Sequence, residues 1–329
     1  MKPMRRCHLL LIAVALCAQQ AIAAWEGAVE TAFRSSADGS QQAAMLYVPP
    51  EARPEAQGPA VPLLVALHTW SGDYRQGMSL PYLKECQERK WVMVHPNFRG
   101  PNRRPEACAS DLAVQDVLDA VEHAKKSARV DERRIYVVGV SGGGHMALVM
   151  AHRAPKLWAG VSAWASISDL AAWHAECRKA NRGYYRDVEA TCGGPPGTAD
   201  ADEQYRKRSP LFHLADAAGL AVDINAGIHD GHSGSVPVSH TLRAFNVLAK
   251  ANGQPEKQIA EDDIQRIVAE QKVPEALAAT GEPLQGRKHK VLFHRAAGPA
   301  RVTLFEGGHE IDVPAALNWL AAQKRGDDH

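Results

Sequence analysis

The chain has 329 residues, of which 45% are hydrophobic and 23% are charged, and its formal net charge is +1. A charge this close to zero excludes a general affinity for polyanions, so we expect neither nucleic acid nor an anionic membrane surface as a partner. The length suits one α/β domain with a sizeable core, and the sequence contains no internal repeats.

The N-terminus has the pattern of a secretory signal peptide. Basic residues precede the short apolar run 9–16, and small residues at 21–23 offer a cleavage site after Ala23. We expect export to the periplasm or beyond the cell, with 24–329 as a single mature domain. The apolar run is shorter than the roughly 20 residues that cross a bilayer, so no membrane contact is expected after cleavage. Lipoprotein processing at Cys17 stays open, although Leu16 is bulkier than such sites usually allow.

Residues 61–67 form an apolar run that predicts the first core strand. The loop after it begins with His68 and contains Trp70. In the fold inferred below, the loop after an early strand supplies a backbone N–H to a developing oxyanion, and the spacing points to Trp70. His68 is predicted as a substrate contact, and packing at the end of the strand is the alternative.

Two further elements precede the centre of the chain. Residues 91–94 are predicted to form a short buried strand. Ser110 is a suitable N-cap for a helix, and apolar residues after it recur at the spacing of one helical face, at positions 114, 117, 118 and 121. We therefore expect this helix to pack its apolar stripe on the sheet.

A glycine-flanked serine, Ser141, lies at the centre of the most informative motif, Gly-Val-Ser-Gly-Gly over 139–143. A strand-like run precedes it at 134–138, and a helix-like run follows at 146–150. Strand, glycine-flanked serine and helix form the nucleophile elbow of α/β-hydrolases. The turn exposes the serine hydroxyl and leaves the N–H of Gly142 free at a helix N-terminus, where negative charge is favoured. Gly142 is thus the second predicted oxyanion donor.

Between 168 and 209 the regular pattern breaks into a polar stretch that is predicted to lie above the active site as a cap. Trp164 ends the strand-like run 160–165, and Trp173 lies in the cap. Both are predicted as substrate contacts, because an indole can stack on a sugar ring or an aromatic acyl group. Ordinary packing of a large apolar side chain is the alternative.

Two residues complete a catalytic triad with Ser141, because a serine hydroxyl needs a general base and the base needs an orienting carboxylate. Asp230 comes just after the strand-like run 221–226, and His309 comes just after the run 301–305. The order serine, acid, histidine is the chain order of the α/β-hydrolase fold.

Other residues compete for these roles. Asp223 lies inside a strand-like run and Asp216 lies before it, so neither is placed as well as Asp230. His229 and His232 flank Asp230, but no cysteine cluster or second carboxylate accompanies them at metal-ligand spacing. We therefore interpret both histidines as polar loop residues and expect no metal site and no organic cofactor.

Four cysteines remain after the predicted cleavage, and export makes disulfides plausible. Proximity in the sequence favours the pairs Cys86–Cys108 and Cys177–Cys192. Buried free thiols are the alternative.

Strand-like runs alternate with helix-like runs, which predicts an α/β protein. We expect the α/β-hydrolase fold, a mostly parallel, doubly wound sheet with helices on both faces and a cap insertion. The charged stretch 251–290 is expected to be irregular apart from a surface helix over 259–271.

Three stretches of the chain resemble the catalytic domain of the prolyl oligopeptidase family. They are 131–135 leading into 139–143, then 205–211, and then 227–230 followed by 236–237 and 308–309. The resemblance extends from about residue 61 to residue 312. It implies Ser141 as nucleophile, Asp230 as acid and His309 as base.

The chain departs from that family's peptidases in two respects. The stretch between the predicted cleavage site and the first core strand is too short for their N-terminal β-propeller, and the Asp230 loop carries extra residues over 231–235. Propeller-free relatives are often esterases, including esterases of plant cell-wall polysaccharides.

The sequence therefore predicts an exported serine carboxylesterase that removes acetyl or feruloyl groups from a small-molecule or oligosaccharide ester. The first alternative is a serine peptidase that acts on short peptides through the same triad. The second is a binding protein that keeps the fold without catalysis. The oligomeric state stays open.

Overall fold

The computed structural model describes residues 25–277 and 286–326. The predicted signal peptide, its cleavage site and Cys17 lie outside the described residues. None of the helices within these two ranges has the length and apolar character that a membrane crossing requires.

In the described ranges, nine strands form one sheet. They are β1 (Ala28–Arg34), β2 (Gln41–Tyr47), β3 (Val61–Leu67), β4 (Val92–Pro96), β5 (Val130–Val140), β6 (Gly160–Trp164), β7 (Val222–Gly227), β8 (Val291–Ala297) and β9 (Ala300–Phe305). Their spatial order is β1-β2-β4-β3-β5-β6-β7-β9-β8. The six strands from β4 to β9 in that order run parallel, whereas β1 and β2 at one edge and β8 at the other pair antiparallel.

The α-helices of the described residues fall between and after these strands. They are α1 (Leu80–Arg89), α2 (Asp111–Ser127), α3 (Gly142–Arg153), α4 (Leu170–Lys179), α5 (Tyr184–Cys192), α6 (Ala199–Arg208), α7 (Ser239–Ala251), α8 (Glu261–Glu270) and α9 (Val313–Ala321). Helix α2 begins where the sequence predicts, because the Ser110 hydroxyl accepts the backbone N–H of Ala113 at 3.0 Å. We call residues 168–209, which contain α4, α5 and α6, the cap.

The two faces of the sheet bury separate apolar layers. Alternate residues of β3 point to opposite faces, so Leu63, Val65 and Leu67 lie in one layer and Leu64 and Ala66 lie in the other. Helices α2, α3 and α7 cover the first layer, and helices α1 and α9 cover the second. The predicted α/β fold with a mostly parallel, doubly wound sheet is confirmed.

The sequence pattern does not predict β1, β2 or β8, which lie at the two antiparallel edges of the sheet. Strand β1 reads Ala-Val-Glu-Thr-Ala-Phe-Arg and is exposed along much of its length, so it lacks the continuous apolar run of a buried parallel strand. The surface helix expected over 259–271 is α8, Glu261–Glu270.

The predicted disulfides Cys86–Cys108 and Cys177–Cys192 are wrong, because all four cysteines of the described residues are buried free thiols. Cys86 lies on α1 and packs in the layer under β3 and β5. Cys108 lies in the loop before α2 and packs against the cap, in a different apolar cluster. Cys177 and Cys192 share that third cluster as unpaired thiols.

Candidate active site

Ser141 lies at the turn between β5 and α3, with φ 60° and ψ −122°. A positive φ is strained for a residue other than glycine, and such strain persists only where the surroundings enforce it. Here the N–H of Ser141 donates to the carbonyl of Trp164 at 2.9 Å, and the carbonyl of Ser141 accepts the N–H of His145 at 2.8 Å. Neighbouring backbone therefore holds the turn at the carboxyl edge of the sheet, and Ser141 remains 9% exposed.

His309 and Asp230 form a hydrogen-bonded pair beside the ends of β9 and β7. Nδ1–H of His309 donates to Oδ2 of Asp230 over 2.7 Å. The other carboxylate oxygen accepts the backbone N–H groups of Gly231 at 2.9 Å and Val236 at 3.0 Å. The bond to Asp230 places the proton of the neutral imidazole on Nδ1, which leaves Nε2 as the basic nitrogen.

The loops that carry these two residues are joined to one another. Beyond the last paired residues of β7 and β9, the N–H of Ile228 donates to the carbonyl of Phe305 at 2.9 Å. The N–H of His229 then donates to the carbonyl of Gly307 at 3.0 Å. The parallel ladder thus continues past the strands and fixes the loop of Asp230 against the loop of His309.

The backbones of Gly142 and Trp70 approach each other closely. A Cβ built on Gly142 would lie 2.4 Å from the backbone nitrogen of Trp70, so only glycine fits there. Neither backbone N–H has an acceptor among residues 25–277 and 286–326. Gly142 is the first residue of α3, where N–H groups lack partners within the helix. Two unused donors therefore lie side by side next to Ser141, as stabilisation of an oxyanion requires.

The Trp70 side chain points away from these donors into the cap. Its indole N–H donates to Oδ2 of Asp187 on α5 at 3.1 Å. Its ring meets the ring of Trp173 edge-on, with centroids 4.6 Å apart and an interplanar angle of 67°. The indole N–H of Trp173 in turn donates to the carbonyl of Ser235, in the loop of Asp230, at 2.8 Å. The cap is thus tied to both the Trp70 loop and the Asp230 loop.

The three predicted substrate contacts are corrected by the structure, because each side chain is buried in protein. His68 is fully buried and stacks on Phe98 with ring centroids 3.8 Å apart, and burial lowers the pKa of this histidine. Trp164 is fully buried, and its indole N–H donates to the hydroxyl of Ser162 at 2.9 Å. Trp173 is 1% exposed. The packing alternative holds for all three.

The competing residues have other partners. Asp223 is buried and accepts a hydrogen bond from Arg301 at 2.6 Å. His229 bonds Gln271 and Glu306, and its pKa is raised chiefly by the hydrogen bond to Glu306. In the part of the chain that the structure describes, no three His, Cys, Asp or Glu side chains are grouped to hold a metal ion.

Two features of the site are not predicted from the sequence. One is Asp187, which looks in the sequence like any acidic residue on the exposed face of a helix. The other is the peptide group between Ser235 and Val236, which links Trp173 to Asp230. Neither carries a motif, because both depend on how the cap packs against the sheet.

A comparison with protein families matches the prolyl oligopeptidase family over residues 87–266, which is more than half of the chain. The matched region contains Ser141 and Asp230 and ends before His309. A search of curated protein sequences found no match.

Solved structures with the same fold include several hydrolases. An acylaminoacyl peptidase from Pyrococcus horikoshii is 18% identical, with a TM-score of 0.52 over 69% of this chain and 36% of that chain. A putative dipeptidyl aminopeptidase IV from Bacteroides ovatus is 20% identical, with a TM-score of 0.53 over 68% of this chain and 31% of that chain. A puromycin hydrolase is 17% identical, with a TM-score of 0.54 over 68% and 33%.

These structures share the fold with this chain, and the part that matches is about a third of their own length. The family match covers the turn of Ser141 between β5 and α3, the cap, and strand β7, which precedes Asp230. The chain therefore belongs to the prolyl oligopeptidase family of α/β-fold serine hydrolases.

Proposed function

We propose that this protein is an exported serine carboxylesterase with Ser141 as nucleophile, His309 as general base and Asp230 as the carboxylate that orients it. One observation carries the proposal. A strained serine that is 9% exposed adjoins two backbone N–H groups that lack acceptors among the described residues, while an Asp–His pair with a 2.7 Å hydrogen bond lies on the ends of β7 and β9. This combination suits acyl transfer.

In the proposed reaction, Nε2 of His309 removes the proton from Ser141 as Oγ attacks the ester carbonyl carbon. The N–H groups of Gly142 and Trp70 bind the oxyanion of the tetrahedral intermediate. The bond from carbon to the leaving oxygen then breaks, and His309 returns the proton to the departing alcohol. Water repeats the attack on the acyl-enzyme with His309 as base, which releases the acid and regenerates Ser141. Asp230 stabilises the charged imidazole throughout.

We propose an acylated carbohydrate, with acetyl or feruloyl esters, as the substrate class. An ester is cleaved with less assistance than an amide, because an alkoxide is the better leaving group. The buried tryptophans offer no stacking surface, so this proposal depends on Tyr184 of the cap. That ring is half-buried and stacks on Trp173 with centroids 5.3 Å apart.

A peptidase on short peptides is the second candidate, since solved structures with this fold include peptidases. The triad and the oxyanion donors would serve an amide in the same way, so the choice between the two depends on measured rates. Export to the periplasm or beyond the cell is part of the proposal and depends on the N-terminal sequence pattern.

The test is a rate comparison on the mature protein and on Ser141→Ala. The substrates are 4-nitrophenyl acetate, acetylated and feruloylated xylo-oligosaccharides and aminoacyl anilides, and labelling with a fluorophosphonate is measured alongside. We expect ester cleavage and labelling in the wild type and neither in Ser141→Ala, with a similar melting temperature. Faster anilide than ester cleavage would establish the peptidase instead. Hydrolysis that persists in Ser141→Ala would disprove the assignment of the nucleophile.

A further inference from the structure

Asp187 accepts a hydrogen bond that joins the cap to Trp70, the residue proposed to supply an oxyanion donor. Its Oδ2 accepts the indole N–H of Trp70 at 3.1 Å, across 117 positions of sequence. Trp70 is 2% exposed, and the Asp187 side chain is 22% exposed. The bond therefore joins a carboxylate to a donor that is largely shielded from water, and such charge-assisted bonds are stronger than neutral ones.

We infer that Asp187 is a positioning residue for the oxyanion hole, holding the Trp70 indole and thereby the Trp70 backbone N–H at its place beside Gly142. This inference rests on the proposed function. It assigns the cap helix α5 a role in the chemical step through a residue that does not touch the reacting atoms.

The peptide group that contains the Trp70 N–H is held at its other end, where the carbonyl of Thr69 accepts Nδ1–H of His68 at 2.9 Å and the N–H of Gly72 at 3.1 Å. The carbonyl of Trp70 accepts the N–H of Asn102 at 2.9 Å. The Trp70 N–H itself has no acceptor among the described residues. Only two side-chain torsions separate the indole from the backbone, so the bond to Asp187 holds the Trp70 end of this peptide group, and its loss lets the N–H shift relative to Gly142. A displacement of about 1 Å from productive geometry can cost a hundredfold in rate.

The position of Asp187 suits this role. It lies in the first turn of α5, where a carboxylate is favoured by the helix dipole. Nε of Arg103 lies 3.6 Å from Oδ2 of Asp187, so the carboxylate has a cationic neighbour besides the indole. The cap is packed at the same point through the contact of the rings of Trp70 and Trp173.

The experiment compares Asp187→Ala, Asp187→Asn and Trp70→Phe with the wild type, using 4-nitrophenyl acetate and a boronic acid inhibitor. The boronate forms a tetrahedral adduct that occupies the oxyanion hole. We expect kcat to fall about ten- to a hundredfold in Asp187→Ala, with KM nearly unchanged, because the hydrogen bond to the oxyanion is made in the transition state. Boronate affinity should fall in parallel. Asp187→Asn should recover most of the kcat and most of the boronate affinity, since its carboxamide oxygen can accept the same bond.

Trp70→Phe keeps an aromatic ring in the cluster and removes the indole donor. It should reproduce the loss in Asp187→Ala, and the double variant should show no further loss, because each substitution breaks the same bond. If Asp187→Ala does not fold, Trp70→Phe and Asp187→Asn carry the test.

Glu189→Ala is the matched control on the same helix. It breaks the contact of Glu189 with His174, which spans 2.8 Å, without touching Trp70. We expect its kcat to stay within about twofold of the wild type. Wild-type kcat and boronate affinity in both Asp187→Ala and Trp70→Phe would overturn the inference, and so would an equal loss in Glu189→Ala. A wild type that neither cleaves esters nor takes up a fluorophosphonate would instead refute the proposed function.

Discussion

The indole N–H of Trp173 and the carboxylate of Asp230 act on the two ends of one peptide group. Trp173 donates to the carbonyl of Ser235 at 2.8 Å, and the N–H of Val236, on the other side of the same peptide bond, donates to Asp230 at 3.0 Å. Asp230 then accepts from His309. Hydrogen bonds from the cap and from the imidazole of His309 therefore converge on the Asp230 carboxylate, which accepts from both sides.

Trp173→Phe should slow catalysis without removing any reacting group. The phenyl ring keeps much of the packing against Trp70, but the donor to Ser235 is lost. A hydrogen bond of this kind contributes about 1 kcal/mol, so we expect kcat for 4-nitrophenyl acetate to fall about five- to tenfold with little change in KM. Wild-type kcat in the folded variant would show that Asp230 is oriented without the cap.

Gly234→Ala should disable the acid–base pair by steric conflict. A Cβ at this position would lie 2.1 Å from Oδ1 of Asp230 and 2.5 Å from Cβ of His309, so one of them must move. We expect kcat to fall by about a hundredfold or more, measured on the same ester.

Gly183→Ala is the control for that substitution. It lies at the N-cap of α5, and beyond its two chain neighbours no atom of the described residues comes within 4 Å of its added Cβ. Its kcat should match the wild type. A Gly234→Ala enzyme with normal turnover would mean that the loop yields freely and that the Asp230–His309 geometry tolerates displacement.

His145 should make the stability of the fold depend on pH in the mildly acidic range. It is fully buried in α3, and burial lowers its pKa from 6.5 to about 4. The unfolded chain binds a proton at this residue below about pH 6.5, whereas the folded chain does so only near pH 4. The free energy of unfolding is therefore fully retained above pH 6.5 and falls as the pH decreases toward 4.

His145→Asn tests this dependence, because the asparagine amide can replace the Nδ1 donor to the carbonyl of Ile167, which lies at 3.0 Å. The free energy of unfolding, measured with urea between pH 7 and pH 5, should fall less steeply with decreasing pH in the variant than in the wild type. Some dependence of stability on pH should remain from His95, because burial lowers the pKa of that histidine to about 3. An unchanged slope would assign the acid sensitivity to other groups.

In a protein produced from residue 24 onward, the four cysteines should be unreactive in the native state and fully reactive once the protein unfolds. All four are buried, and burial raises the pKa of Cys177 and Cys192 to about 12. Iodoacetamide should therefore modify none of them in buffer, and four in guanidinium without reductant, as counted by intact mass. Two modified thiols or fewer in guanidinium would show that a disulfide forms after all.

The serine turn is predictable from the sequence because its physical demands are local. An apolar strand, a glycine-flanked serine and an apolar helix are consecutive, and each is visible within about ten residues. Asp230 and His309 are predictable for a related reason, since each follows a buried strand, and the carboxyl ends of parallel strands meet at one edge of the sheet.

The direction of the large side chains is not predictable in this way. Trp164 ends β6 beside Ser141, and its backbone carbonyl does meet the serine N–H, but its indole points into the layer covered by α1 and α9. The prediction of the two disulfides is wrong for a similar reason. Separation along the chain does not say that Cys86 and Cys108 lie in different apolar clusters.

The contacts of the cap with both the Trp70 loop and the Asp230 loop constrain how the enzyme can be re-engineered. Exchanging α4–α6 for the corresponding segment of a relative, in order to accept a different acyl group, also removes Trp173 and Asp187. A chimera that keeps the substrate pocket of the donor but lacks these two anchors would bind its new ligand and turn it over slowly. The anchors of the Trp70 loop and the Asp230 loop thus lie within residues 168–209, and an exchange of this segment must keep or replace them.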